Sequence, residues 1–205
     1  MTWPTNAMHS HSVIIDATVY RSMGVLGLGS ALLDIWTCVT IDTIFDPPDG
    51  GELGGIASSI RGEVERLQHG SASSSLWSEA LDGLDSLATQ LAGRPILRPT
   101  DDETDLAQLL ASKNDTARSW RLERGIGVRR IDTGEAVCIA VAMSRGLRFA
   151  TDDRPAAAAF ELLTSASALS SFDALDQMHI LGLLDSVEHV EQRLVRMRGP
   201  QRPPT

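Results

Sequence analysis

Two short apolar runs that each break off at aspartate constrain this chain more than any other feature. Val13-Ile14-Ile15 is β-branched throughout and stops at Asp16, while Leu147-Arg148-Phe149-Ala150-Thr151 runs straight into Asp152 and Asp153. Runs this short and this rich in β-branched or aromatic residues favour buried strand. Val39 to Phe45 alternates in polarity and predicts a further strand, closed by the turn chemistry of Asp46-Pro47-Pro48-Asp49-Gly50-Gly51. Ile96-Leu97 predicts a brief fourth one.

The segments between these runs read as helix. Val19, Met23, Leu26, Leu32, Leu33 and Trp36 suit one helix or two short ones, with glycines loosening the middle. Ile56, Ile60, Val64 and Leu67 have helical spacing, and Leu76 to Leu91 forms an amphipathic pattern ended by Gly93 and Pro95. Thr100 followed by Glu103 is a capping-box signature. Thr133 to Met143 is apolar nearly all round, which predicts a helix buried on every side. Pro155 belongs in the first turn of a helix over Ala156 to Leu163, and Leu175 to Met197 predicts a closing helical segment. Strands separated by helices in this order predict an α/β fold, a short parallel sheet flanked by helices. The organisation expected is a disordered leader over 1–12, one domain over 13–198 with a helical excursion at about 60–125, and a Pro-rich tail over 199–205.

Ligands of such sheets bind beyond the carboxyl ends of the strands, where Asp16, Asp152 and Asp153 are expected. Gathered carboxylates repel, and hard divalent cations such as Mg²⁺ or Mn²⁺ compensate that repulsion with oxygen ligation. A net charge of −9 argues against a broad phosphate-binding surface but suits a cation-holding cluster. Lys113 is the only lysine, and Arg61, Arg66, Arg118, Arg121, Arg124, Arg129 and Arg130 fall in two groups. They read either as solvated helix faces or as a path of forked donors for phosphates.

Several chemistries are excluded. Cys38 and Cys138 lie in apolar settings without CxxC or Cys/His spacing, so no structural zinc site is supported. A reducing, cytoplasmic setting is the corresponding expectation. No uninterrupted apolar stretch is long enough to span a bilayer. There is no nucleophile elbow, P-loop or dinucleotide fingerprint. Asp16-Ala17-Thr18 lacks the second aspartate of an aspartyl phosphatase, and Lys113 is misplaced for a receiver domain.

The run Val13-Ile14-Ile15-Asp16-Ala17-Thr18, then Asp132-Thr133-Gly134-Glu135-Ala136 opening an apolar helix, then Thr151-Asp152-Asp153-Arg154 resembles the PIN-domain nucleases, particularly bacterial toxin-like ribonucleases. Leu181-Gly182-Leu183-Leu184 before a last helix adds to the likeness. The resemblance covers the first strand and about 131–190; Gly50 to Gly125 carries no matching motif. It implies a PIN-like three-layer sandwich and Mg²⁺- or Mn²⁺-dependent phosphodiester hydrolysis, with water attacking and no covalent intermediate. RNA is the substrate expected ahead of DNA. A toxin–antitoxin role with a blocking partner protein is also implied, and a homodimer is compatible with it. Carried over by residue, Asp16, Glu135 and Asp153 correspond to catalytic metal-site acids, with Asp152 assisting. Glu52 is the best placed fourth acid, with Asp46 and Glu63 as rivals.

Other readings of the same residues stay open. Asp16 also suits a strand-end turn, Glu135 a capping box begun by Asp132, and Asp152 or Asp153 a helix cap. The alternative function is a catalytically weak PIN-like scaffold that binds protein or nucleic acid.

Overall fold

The computed structural model describes residues 12–41, 74–91 and 96–198. Glu52, its rivals Asp46 and Glu63, Arg61, Arg66 and the Pro-rich tail lie outside these residues, as does the leader apart from Ser12. The elements run β1 (Ser12–Ile15), α1 (Ala17–Val25), α2 (Gly29–Ile35), β2 (Thr37–Ile41), α3 (Ser74–Leu91) and β3 (Ile96–Leu97). They continue with α4 (Asp101–Ala111), α5 (Asp115–Glu123), α6 (Thr133–Arg145), β4 (Arg148–Ala150), α7 (Arg154–Thr164), α8 (Ser171–Ile180) and α9 (Val187–Arg198).

The strand order is β3-β2-β1-β4 and every pairing is parallel. Ile14 pairs with Val39 on one side and Phe149 on the other, so β1 is central. The chain moves outward from β1 to β2 to β3, then returns to add β4 on the opposite edge. That reversal puts a topological switch point between β1 and β4, where α/β sheets open a crevice for ligands. Helices flank the sheet. One group is built on α6, which packs on β1 and β4 and carries α4 and α7. The other joins α1, α2, α3 and α8.

Val13, Ile14 and Ile15 are fully buried, each burial contributing about 1.5–3 kcal/mol. All of Ala136 to Ala142 is buried, so α6 is enclosed as its apolar run implied. Gly146, at φ 63° in the left-handed region, ends this helix and turns the chain into β4. Gly83 lets α3 approach α1 closely, because a Cβ there would run into the Gly24 carbonyl oxygen. The 17–36 stretch forms two short helices, broken at Gly27 with φ 72°. The closing segment differs from expectation. It is split into α8 and α9 by a turn through Gly182, at φ 72°, whose amide donates to the His179 carbonyl. Among the described residues no helix is long and apolar enough to cross a membrane.

One part-buried ion pair ties α4 to the end of α6. Arg145 grips Glu103 with two bonds, Nε to Oε1 at 2.8 Å and Nη2 to Oε2 at 2.8 Å, and Nη2 also donates to the Arg98 carbonyl at 2.7 Å. Glu103 also completes the capping box, accepting from the Thr100 amide at 2.8 Å. Burial by itself would raise the Glu103 pKa, yet the Arg145 bonds and the Thr100 amide hold it below the usual 4.5. Arg145→Ala leaves the Glu103 carboxylate without its cation and, because water can reach the vacated place, should cost about 1–2 kcal/mol in denaturant unfolding. A depressed folded pKa stabilises above pH 4.5 and loses that contribution as pH falls through the folded value. Glu103→Gln should therefore be most damaging near neutral pH, and its deficit against wild type should shrink in acid melts.

Candidate functional site

β1 ends where its last apolar residue gives way to Asp16, whose amide continues the sheet by donating to the Ala150 carbonyl at 2.9 Å. The carboxylate then serves as N-cap of α1. Its Oδ2 accepts from the Thr18 amide at 3.3 Å, the Thr18 hydroxyl at 2.6 Å and the Thr151 hydroxyl at 3.1 Å. Asp16 is 3% exposed, and burial outweighs these donors to raise its pKa above the usual 3.8.

The exit of β4 is laced to the same hydroxyls. The Asp152 amide donates to Thr18 Oγ1 at 3.0 Å, and the Asp153 amide donates to Thr151 Oγ1 at 3.1 Å. Asp153 Oδ1 accepts from the Ala156 amide at 2.9 Å, which caps α7 and leaves Pro155 in the first turn, where no amide is needed. Asp152 is committed elsewhere. Its Oδ2 accepts from Ser22 Oγ at 2.8 Å and Ser171 Oγ at 2.6 Å, and its Oδ1 accepts from the Ser171 amide at 2.9 Å. It therefore pins β4 to α1 and α8.

Glu135 arrives from a third direction, in the first turn of α6. It is half-buried, and its pKa is pushed up to about 8 by burial first, then by the negative charges of Asp16, Asp153 and Asp132. Cys138, one turn further along, is fully buried and its thiol is raised by burial, then by Asp16 and Glu135. Both groups sense Asp16, so the sheet end and the start of α6 share one field. The capping box considered for this helix is incomplete, because the Asp132 side chain makes no cap bond.

The fold thus brings Asp16, just past β1, and Asp153, beyond β4, within electrostatic reach of Glu135 at the start of α6. Among the described residues, however, no group of three or more His, Cys, Asp or Glu side chains forms a tight array of metal ligands. A 270 Å³ cavity opens beside the cluster, lined in part by Thr151, Asp153, Arg154 and Phe172.

The arginine path is revised. Arg121 is 2% exposed and donates through Nη1 to the carbonyls of Leu109, Leu110 and Ser112, closing the C-terminal end of α4. It is a structural cap, unavailable to phosphate. Arg124 lies 4.1 Å over the Trp120 ring, while Arg118, Arg129 and Arg130 are exposed. Sequence reasoning also missed Thr18, Thr151, Ser22 and Ser171. Two of these carried a local signal, since a hydroxyl two residues after, or just before, a strand-end aspartate can bond to the neighbouring backbone. Comparison of the chain with family models, curated proteins and solved structures gives no match.

A carboxyl whose folded pKa is raised stabilises the fold fully below its unfolded value and loses that contribution as pH climbs through the folded one. For Glu135 the window runs from 4.5 to about 8. Glu135→Gln should remove this loss, so the melting temperature of the variant should gain on wild type across that window. A difference constant with pH would take Glu135 out of the like-charge cluster.

Proposed function

We propose that this chain is a divalent-metal-dependent nuclease with a PIN-like fold, acting on RNA in preference to DNA. The observation that carries the reading is the placing of Asp16 and Asp153 beside Glu135, where their negative charges add to burial in pushing its pKa up to about 8. Like charges held together at a sheet's switch point cost stability unless the site has a cation to hold. The order of motifs that resembles PIN-domain nucleases adds to it, as does the switch point between β1 and β4.

The donor chemistry fits Mg²⁺ or Mn²⁺, because the acids concerned offer hard oxygen ligands and their repulsion is relieved by positive charge. Asp16, Glu135 and Asp153 would hold one or two ions. When bound, the metal neutralises phosphate charge and lowers the pKa of water to produce a nucleophile. The chain's own residues do the rest. Thr18 and Thr151 fix the rotamer of Asp16 through Oδ2. Asp152 positions the β4 exit from its serine cradle. Glu135, its pKa pushed up to about 8, would shed its proton more readily with a cation beside it. A protein partner that covers the site, as an antitoxin does, belongs to the same proposal.

A second reading is a PIN-like scaffold that binds protein or nucleic acid without turnover. It draws on the cap bonds of Asp16 and Asp153, the hydrogen-bonded Asp152 and the lack of a tight ligand array among the described residues. Incubating the purified protein with mixed RNAs separates the two. Cleavage is expected in Mn²⁺ or Mg²⁺, abolished by EDTA, and lowered by at least about a hundredfold in Asp16→Asn, since losing even an outer-shell partner costs 10–100-fold. Cleavage that survives Asp16→Asn comes from a contaminant, and its absence under both metals favours the scaffold.

A further inference from the structure

A groove of 680 Å³ lies well away from the acidic cluster, bounded by α4, α5, α6 and α7. Its wall carries Leu106, Leu109, Met143, Leu162 and Leu163, and Trp120 closes one side. Leu162 is 56% exposed, on the same helix whose inner face buries Ala156, Ala159 and Phe160. An aliphatic side chain held open inside an apolar groove marks a surface that something else covers.

The charge on its lip says what. The start of α4 presents Asp101, Asp102, Glu103 and Asp105. Glu103 is neutralised inward by Arg145, whereas Asp101, Asp102 and Asp105 face solvent. Acids in a first helical turn are accounted for by the helix dipole, which covers Asp101 and Asp102. Asp105 lies in the second turn, beyond that effect, and lines the groove with Asp102. Arg124, the cation in the groove wall, is stacked on Trp120 and lies 3.8 Å from Glu123. An apolar trough between helices with one acidic lip is complementary to an amphipathic helix flanked by basic residues.

We propose that this groove is a docking site for a basic amphipathic helix of a partner protein, seated with its aliphatic face on Leu106, Leu109 and Leu162 and its cations on Asp102 and Asp105. This inference does not depend on nuclease activity. The probe is a synthetic leucine–lysine amphipathic helix labelled for fluorescence anisotropy, titrated against the full chain at low and moderate salt. Asp102→Lys with Asp105→Lys should weaken binding by about tenfold, as loss of complementary charge predicts. Leu162→Glu should weaken it comparably. A control that changes net charge equally elsewhere, Asp176→Lys on α8 with Asp185→Lys in the turn before α9, should change it less than about twofold if attraction is local rather than global. A leucine–glutamate helix should bind the Asp102/Asp105 variant better than wild type. Equal losses in the two reversed pairs would reduce the effect to the overall negative charge and overturn the proposal. So would binding that ignores both lip acids but falls with Leu162→Glu, the signature of an apolar ligand.

Discussion

A carboxylate buried at the end of a central strand is the constraint around which this molecule is organised. Asp16 cannot be moved outward without breaking the register of β1, and it cannot be left bare, because burying an uncompensated charge is costly. The fold answers with hydroxyls. Thr18 from α1 and Thr151 from β4 both donate to one oxygen of Asp16, and the same two hydroxyls accept the amides of Asp152 and Asp153. Two strand exits distant in sequence are locked together by this lattice, and the locking sets the positions of all the acids beyond them. The compensation is incomplete, as the raised pKa values of Asp16 and Glu135 record.

Elsewhere the chain deals with charge differently. Glu103 is paired with Arg145 through two parallel bonds, and Arg121 is buried against three carbonyls at the end of α4. These charges hold α4 to α5 and α6. The acidic cluster differs: Glu103 is matched by an opposite charge and Arg121 by three carbonyl acceptors. Glu135 has a backbone hydrogen bond at Asp132, and the charges around it are negative.

The double duty that the proposed site asks of Asp16 and Asp153 bears on how such a site is assembled. A helix N-cap needs a side-chain oxygen held next to the first free amides, at the carboxyl end of the preceding strand. A cation site at a parallel sheet's edge needs carboxylates in the same place. Capping supplies rigidity at no extra residue, and the second carboxylate oxygen remains for chemistry. Asp152, with both oxygens engaged by Ser22 and Ser171, shows how the neighbouring position is spent wholly on structure.

Local rules made much of the architecture legible in the sequence. Val13 to Ile15 and Leu147 to Thr151 read as strands because β-branched and aromatic runs bounded by polar residues have few other uses. The capping box at Thr100 and Glu103, the helix opened by Pro155 and the enclosed helix after Glu135 read equally well, since each depends on residues within one or two turns. Asp16, Glu135 and Asp153 were legible as candidates for the same reason, by sitting at strand ends and a helix start. What the sequence could not decide were relations across distance. Arg121 looks like its exposed neighbours until α4 packs over it, and Ser22 and Ser171 look like ordinary surface serines until β4 brings Asp152 between them. The split between α8 and α9 rested on one glycine inside a helical pattern. Strand order, and with it the meeting of three acids from three elements, was decided by tertiary packing, because hydrophobic burial selects faces while only the closed core selects neighbours.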